Sequence, residues 1–111
     1  MYVVINKVKI PLKDCLTFKE RFKGYMFKLD EITEGLRFPH CRSIHTYFMC
    51  QNIDIIMTDK DNIIKRIYPN FGSEKIIFPK KNVYYTYELP VGCAYYLKIG
   101  DKLKIVEKEK K

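Results

Sequence analysis

Polar side chains lie among apolar ones in two neighbouring segments of the 111-residue chain. His45 and Thr46 follow Ile44, and Asp54 lies between two isoleucines. Because a buried polar group is costly unless it has a partner, polar residues in apolar strands are candidates for a functional site. An imidazole, a hydroxyl and a carboxylate could together exchange hydrogen bonds with a small polar ligand.

The carboxylate of Asp54 has two interpretations. It could bind a ligand or act as an acid or base. Alternatively, it could be structural, capping a turn or accepting hydrogen bonds from Arg21, Lys65 or backbone N–H groups. We favour the structural interpretation, since buried carboxylates are normally paired.

A second carboxylate raises the possibility of an enzyme. Glu88 follows a tyrosine-rich run and precedes Leu89 and Pro90. If Glu88 faced Asp54 across a cleft, one of them could act as base and His45 as acid. The simpler interpretation of Glu88 is an ion pair with a lysine on the sheet surface. The enzyme is kept as an alternative to ligand binding.

The sequence gives little indication of a metal or a cofactor. Cys41 and His45 are four residues apart, which in a strand separates them by about 13 Å, too far to share one metal ion. The four cysteines form no C-x-x-C pair, and no nucleotide-binding loop or nucleophile motif occurs. We therefore expect no metal and no cofactor.

Charge and composition limit the classes of partner. The net charge is +8, but the lysines are spread along the chain, so we favour a solvated surface over nucleic-acid binding. Weak nucleic-acid binding through the basic surface remains an alternative. No secretory signal or membrane span is evident, which predicts a cytoplasmic protein with reduced thiols and no membrane partner. The sequence leaves the oligomeric state open.

Most of the chain has the two-residue period of strands. We expect one domain over residues 1–106 and a charged tail over 107–111. A capping box at Thr17–Glu20 and an apolar stripe of Phe18, Phe22 and Met26 predict one short helix. The predicted strands span 2–10, 35–38, 43–49, 53–58, 63–68, 75–78, 82–89 and 102–106, with a hairpin loop at 59–62.

The strand pattern predicts a mainly β fold. We expect a compact antiparallel β-sandwich or closed barrel, jelly-roll-like, with one short N-terminal helix. The strands 43–49 and 53–58 are expected to form a hairpin closed by residues 50–52, in which residue 48 faces Asp54.

The order of several short motifs resembles a known family. The relevant segments are Phe18-x-x-Arg21-x-x-Gly24-x-Met26, Ser43-Ile44-His45-Thr46-x-Phe48-Met49, Ile53-Asp54, Glu88-Leu89-Pro90 and Gly100-Asp101. Together they resemble the domain of unknown function 192 family of bacteria and archaea, over about residues 8 to 106. One departure is Lys28, where the family often has an arginine with its bidentate fork.

The resemblance implies a β-sandwich with a short helix and no established activity. It carries over to this chain the motif residues Arg21, His45, Thr46, Met49, Asp54 and Glu88. With them we predict a domain that binds a small polar or anionic ligand, in which Arg21 clamps an anion or holds Asp54.

Overall fold

A computed structural model describes residues 1–17, 24, 29–42, 44–46 and 49–107 of the chain. The predicted helix falls almost wholly on residues 18–28 and therefore lies outside the described residues, apart from Gly24, which is in a turn. The end of the charged tail, 108–111, also lies outside them. Both stay predictions.

The described residues form a mainly β structure. A single 3₁₀ helix, Cys93–Tyr96, occurs in this part of the chain. The strands are β1 Tyr2–Ile5, β2 Val8–Asp14, β3 Gly35–Pro39, β4 Ile44–His45, β5 Ile53–Thr58, β6 Ile64–Phe71, β7 Ile76–Ile77, β8 Tyr85–Leu89 and β9 Lys104–Val106.

Most of these strands belong to one large sheet. Its order is β6-β5-β8-β3-β2-β1-β9, and β4 and β7 form a separate two-stranded sheet. The pairs are antiparallel except β2 with β3, which is parallel. Near the start of β6, Ile63 forms an antiparallel bridge with Lys102, close to β9, so the two outer strands of the sheet approach each other.

The structure corrects the first predicted strand. Residues 2–10 are a hairpin and not one strand, because Asn6 and Lys7 have φ angles of 50° and 66° and form a tight turn. The second arm, β2, continues through Pro11 as far as Asp14. The signal at residue 6 was weak, since asparagine favours a left-handed backbone but lysine does not.

The predicted hairpin between residues 43–49 and 53–58 is wrong. β5 lies between β6 and β8, so both of its edges are already paired. β4 instead pairs with β7, with Ile44 opposite Ile77 and His45 opposite Ile76. Residues 43, 47 and 48 of the predicted strand lie outside the described residues.

The two faces of the large sheet cover different cores. Residues paired across a sheet project to the same face, and successive residues alternate. On one face, Ile55, Met57 and Leu36 pack with Met49 and Ile77. On the other face, Ile56, Tyr87 and Leu89 pack with Ile64 and Leu103. Strand β5 is buried along its whole length, because both of its faces are covered.

No helix among the described residues is long and apolar enough to span a membrane.

Gly35 of β3 packs closely against side chains of the two neighbouring strands. A Cβ at this position would come 2.6 Å from Leu89 Cδ2 and 3.0 Å from Leu12 Cδ1, and both leucines are buried. We expect Gly35→Ala to lower the free energy of unfolding by about 1 to 3 kcal/mol in urea denaturation, through overpacking. Gly72→Ala is the control, because its Cβ would meet nothing closer than 3.5 Å. Equal stability of the two variants would contradict this packing.

Candidate functional site

Asp54 is a structural carboxylate at the start of β5. Its side chain is 1% exposed, and Oδ2 accepts hydrogen bonds from the N–H groups of Gly92 at 3.0 Å and Ala94 at 2.8 Å. Oδ1 accepts one from Asn70 N–H at 2.8 Å. Asp54 therefore holds the start of the 3₁₀ helix and the end of β6 against β5. Three N–H donors supply the compensation that a buried carboxylate needs.

The local backbone explains why Asp54 reaches these donors. β5 pairs with β6 through a register shift between Ile53 and Ile55, so the ladder is interrupted at Asp54. Asn70, on the facing strand, has a left-handed φ of 49° and directs its N–H to the carboxylate. Of the predicted donors, backbone N–H groups are the partners that the structure shows. Lys65 instead lies near Asp59, and Arg21 lies outside the described residues.

Thr46 also holds the fold together. It is fully buried, and its hydroxyl donates to the carbonyl of Gly72 at 2.7 Å and accepts from the N–H of Lys75 at 3.0 Å. Its own N–H donates to the Lys75 carbonyl at 2.8 Å. Thr46 therefore fixes the 72–75 loop beside the two-stranded sheet, which accounts for a polar residue among apolar neighbours.

The other predicted site residues are separated. His45 is partly buried in β4, on the two-stranded sheet. Met49 is a buried member of the core that also contains Ile55. Arg21 lies outside the described residues. The sequence predicted that His45 and Asp54 share one hairpin, but the structure places them in different sheets.

Glu88 is, with Asp54, one of the two buried carboxyl groups of the described residues. It lies in the middle of the large sheet, opposite Leu36 of β3 and Ile55 of β5, and is 2% exposed. Oε2 is buried and has no hydrogen-bond partner among the described residues. The predicted surface ion pair with a lysine is therefore wrong, because the strand is covered on this face.

Gly24 lies directly against this carboxyl group. A Cβ built on Gly24 would be 3.0 Å from Oε2 and 3.4 Å from Oε1 of Glu88. The φ angle of Gly24 is +47°, in the left-handed region that glycine adopts most readily. Glycine at this position lets the backbone cover Glu88 closely, a contact that was not predicted from the sequence.

Burial determines the protonation state of Glu88. Loss of hydration raises the pKa of its carboxyl group to about 8, because the charged form is disfavoured away from water. The cross-strand neighbours Leu36 and Ile55 carry no charge that would reverse this effect. At neutral pH the group is mainly a neutral carboxylic acid, with one donor and further acceptor capacity.

Asp54 and Glu88 cannot act as a catalytic pair. Ile55 and Glu88 are cross-strand partners, and so are Asp54 and Leu89. The two carboxyl groups therefore project from opposite faces of the sheet. This arrangement contradicts the acid–base hypothesis that joined them across a cleft.

An ion pair that the sequence analysis missed lies next to Tyr87. The Arg37 guanidinium contacts Asp14 through Nε–Oδ1 at 2.5 Å and Nη2–Oδ2 at 2.8 Å, and it lies 4.8 Å from the centre of the Tyr85 ring. The Asp14 hydrogen bond raises the pKa of Arg37, while burial raises the pKa of Tyr87 to about 12. Tyr87 donates a short hydrogen bond to Asn62 Oδ1. Only the register of β2 against β3, which places Asp14 opposite Arg37, could have revealed this ion pair.

Within the described residues, no three His, Cys, Asp or Glu side chains come close enough together to hold a metal ion.

The fold and these residues define a family of small β domains. The model of the domain of unknown function 192 family, described as an uncharacterized ACR, matches residues 2–105. The chain belongs to this family.

Two solved structures show the same fold. One, from Sinorhizobium meliloti and described provisionally as a transcription regulator, has a TM-score of 0.77 at 17% identity, covering 93% of this chain and 89% of that one. The other, a protein of unknown function from Novosphingobium aromaticivorans, has a TM-score of 0.76 at 22% identity, covering 94% and 82%. No curated protein matches the chain in sequence. At these identities the likeness establishes the fold alone.

Removing the Asp54 carboxylate should destabilise the protein strongly. Asp54→Ala leaves three N–H groups without their acceptor, and we expect the free energy of unfolding to fall by about 2 to 5 kcal/mol in urea denaturation. Asp61→Ala is the control, since the Asp61 side chain is exposed in the β5–β6 loop. A loss at Asp54 no larger than at Asp61 would contradict the capping role.

Glu88 should make the stability depend on pH. Its pKa is about 8 in the folded state against 4.5 for the ordinary carboxyl. The stabilisation from holding this proton is therefore complete below the lower value and is lost as pH rises through the higher one. Glu88→Gln stays neutral, so its free energy of unfolding should rise relative to wild type by about 3 to 5 kcal/mol between about pH 5 and pH 9.

The measurement is urea denaturation across that pH range. The exposed Glu31→Gln is the control and should follow the wild-type curve. Parallel curves for Glu88→Gln and wild type would show that Glu88 does not titrate as described.

Proposed function

We propose that this domain binds a small polar ligand and that the Glu88 carboxyl group recognises it. The observation that carries the proposal is a buried side-chain oxygen, Oε2, without a hydrogen-bond partner in the described part of the chain. Nearly all buried polar side chains have a partner, so one that lacks a partner needs an explanation, such as a role in binding or catalysis. An apolar residue here would fill the same space without the desolvation penalty.

The protonation state of Glu88 indicates the kind of ligand. A neutral carboxylic acid presents a donor and an acceptor side by side. A carboxamide presents the complementary pair, and an amidine would match the ionised form with two parallel N–H donors. A ligand with a planar amide or amidine edge therefore fits this group better than an anion does.

The remaining residues have supporting roles in this proposal. Asp54 and Thr46 hold the backbone segments that they contact, and Met49 belongs to the core on the Glu88 face of the sheet. Arg21 and His45 stay proposed ligand contacts on the sequence evidence.

We also propose that the large sheet is a closed barrel. The support is the Ile63–Lys102 bridge, together with backbone hydrogen bonds from Ile64 N–H to Asp101 at 2.8 Å and from Leu103 N–H to Asn62 at 2.9 Å. A cytoplasmic setting remains part of the proposal. Nucleic-acid binding is not proposed, since only the net charge would support it.

Ligand screening with matched variants tests the proposal. The probes are acetamide, benzamide and benzamidine. Saturation-transfer NMR measures the binding of each probe to the protein. We expect binding of at least one probe by wild type and by Glu31→Gln, and loss of that binding in Glu88→Leu. Glu88→Leu should be at least as stable as wild type, because it removes an uncompensated carboxyl group.

Two results would contradict the proposal. One is the absence of binding for all three probes to wild type. The other is unchanged binding in a folded Glu88→Leu variant, which would place the recognition elsewhere on the protein.

A further inference from the structure

A second candidate site lies on the surface, independent of Glu88. A cavity of about 320 Å³ opens between the β5–β6 loop and the segment that leads into β8. This size falls at the lower end of the range for small-molecule sites. We call it the Lys60 groove; it is lined by Asp59, Lys60, Lys65, Asn82, Val83 and Tyr84.

Lys60 supplies an available positive charge. Its ammonium group lies 5.7 Å from the centre of the Tyr84 ring, a cation–π distance that holds the side chain over the groove. Among the described residues, no carboxylate forms a salt bridge with Lys60. The ammonium group therefore keeps its hydrogen-bond donors for a ligand.

The second lysine of the groove is only loosely paired. Lys65 Nζ is 3.6 Å from Asp59 Oδ2. The other oxygen of Asp59 accepts hydrogen bonds from the N–H groups of Asp61 at 2.9 Å and Ile63 at 3.0 Å, and these backbone bonds lower the pKa of Asp59. The Asp59 charge is thus used mainly to fix its own loop. Lys65 can turn toward an anion at little cost, because a partly exposed pair is weak.

Tyr84 forms one wall of the groove, and hydrogen bonds of its hydroxyl and its backbone N–H hold it in place. The Tyr84 hydroxyl lies 2.7 Å from His40 Nε2, and the two rings are 4.3 Å apart. The Tyr84 N–H donates to the Thr58 carbonyl at 2.7 Å, which ties the wall to β5. Since a hydroxyl has one donor and two acceptor sites, one bond to His40 leaves capacity for a ligand.

We propose that the Lys60 groove binds the oxyanion group of a small molecule, either a phosphate or a carboxylate. Lys60 and Lys65 contact the oxyanion from two sides, with the Asn82 amide as a further donor. The rest of the ligand would lie against the Tyr84 ring. The net charge of +8 favours the approach of an anion.

Titration with simple anions tests this site. Sodium phosphate and sodium acetate are added separately to ¹⁵N-labelled protein at constant ionic strength, with chloride as the balance. We expect saturable shifts of the backbone amides of residues 59–65 and 82–84. The anion that binds more tightly identifies phosphate or carboxylate as the preferred group.

Single substitutions distinguish anion binding in the Lys60 groove from nonspecific attraction to the positively charged surface. Lys60→Ala and Lys65→Ala should each weaken binding about twofold to fivefold, which is the range expected for a partly exposed ion pair. Lys9→Ala removes an exposed lysine of β2 and should change nothing. All three positions are on the surface, so the variants should fold normally.

Shifts scattered over the whole surface, or equal weakening by Lys9→Ala, would overturn the proposal. Glu88→Leu should leave anion binding at the groove unchanged. The two proposals can therefore fail separately.

Discussion

The structure depends on how two carboxyl groups are accommodated in the buried strands β5 and β8. The alternation of side chains along a strand sends Asp54 to one face of the sheet and Glu88 to the other. Asp54 meets three backbone N–H groups and joins β5, β6 and the 3₁₀ helix into one unit. Glu88 meets apolar neighbours and the backbone of Gly24.

This difference separates a structural residue from a functional candidate. The Asp54 charge is compensated within the protein, so its role is complete without any other molecule. The Glu88 carboxyl has been removed from water without compensation inside the described structure, and the cost appears as a raised pKa. Such a group lowers the free energy of unfolding at neutral pH. Its presence is explained if it binds a ligand.

The sequence predicted local structure better than pairing. The strands near 35–38, 53–58 and 63–68 and the loop at 59–62 are confirmed, because period-two patterns and turn formers are local signals. The partner of β4 was predicted wrongly, since nothing local shows that β8 occupies the edge of β5. Glu88 was named as a site residue, but its burial depends on cross-strand neighbours far along the chain.

A direct titration of the Glu88 side chain tests the central claim of this account. The carboxyl carbon is followed by ¹³C NMR in labelled protein as pH is raised, with Glu88→Gln used to assign the signal. The account predicts a midpoint at about 8. A midpoint near the ordinary value of 4.5 would show that the group is hydrated or paired, and would contradict both its buried state and its proposed role.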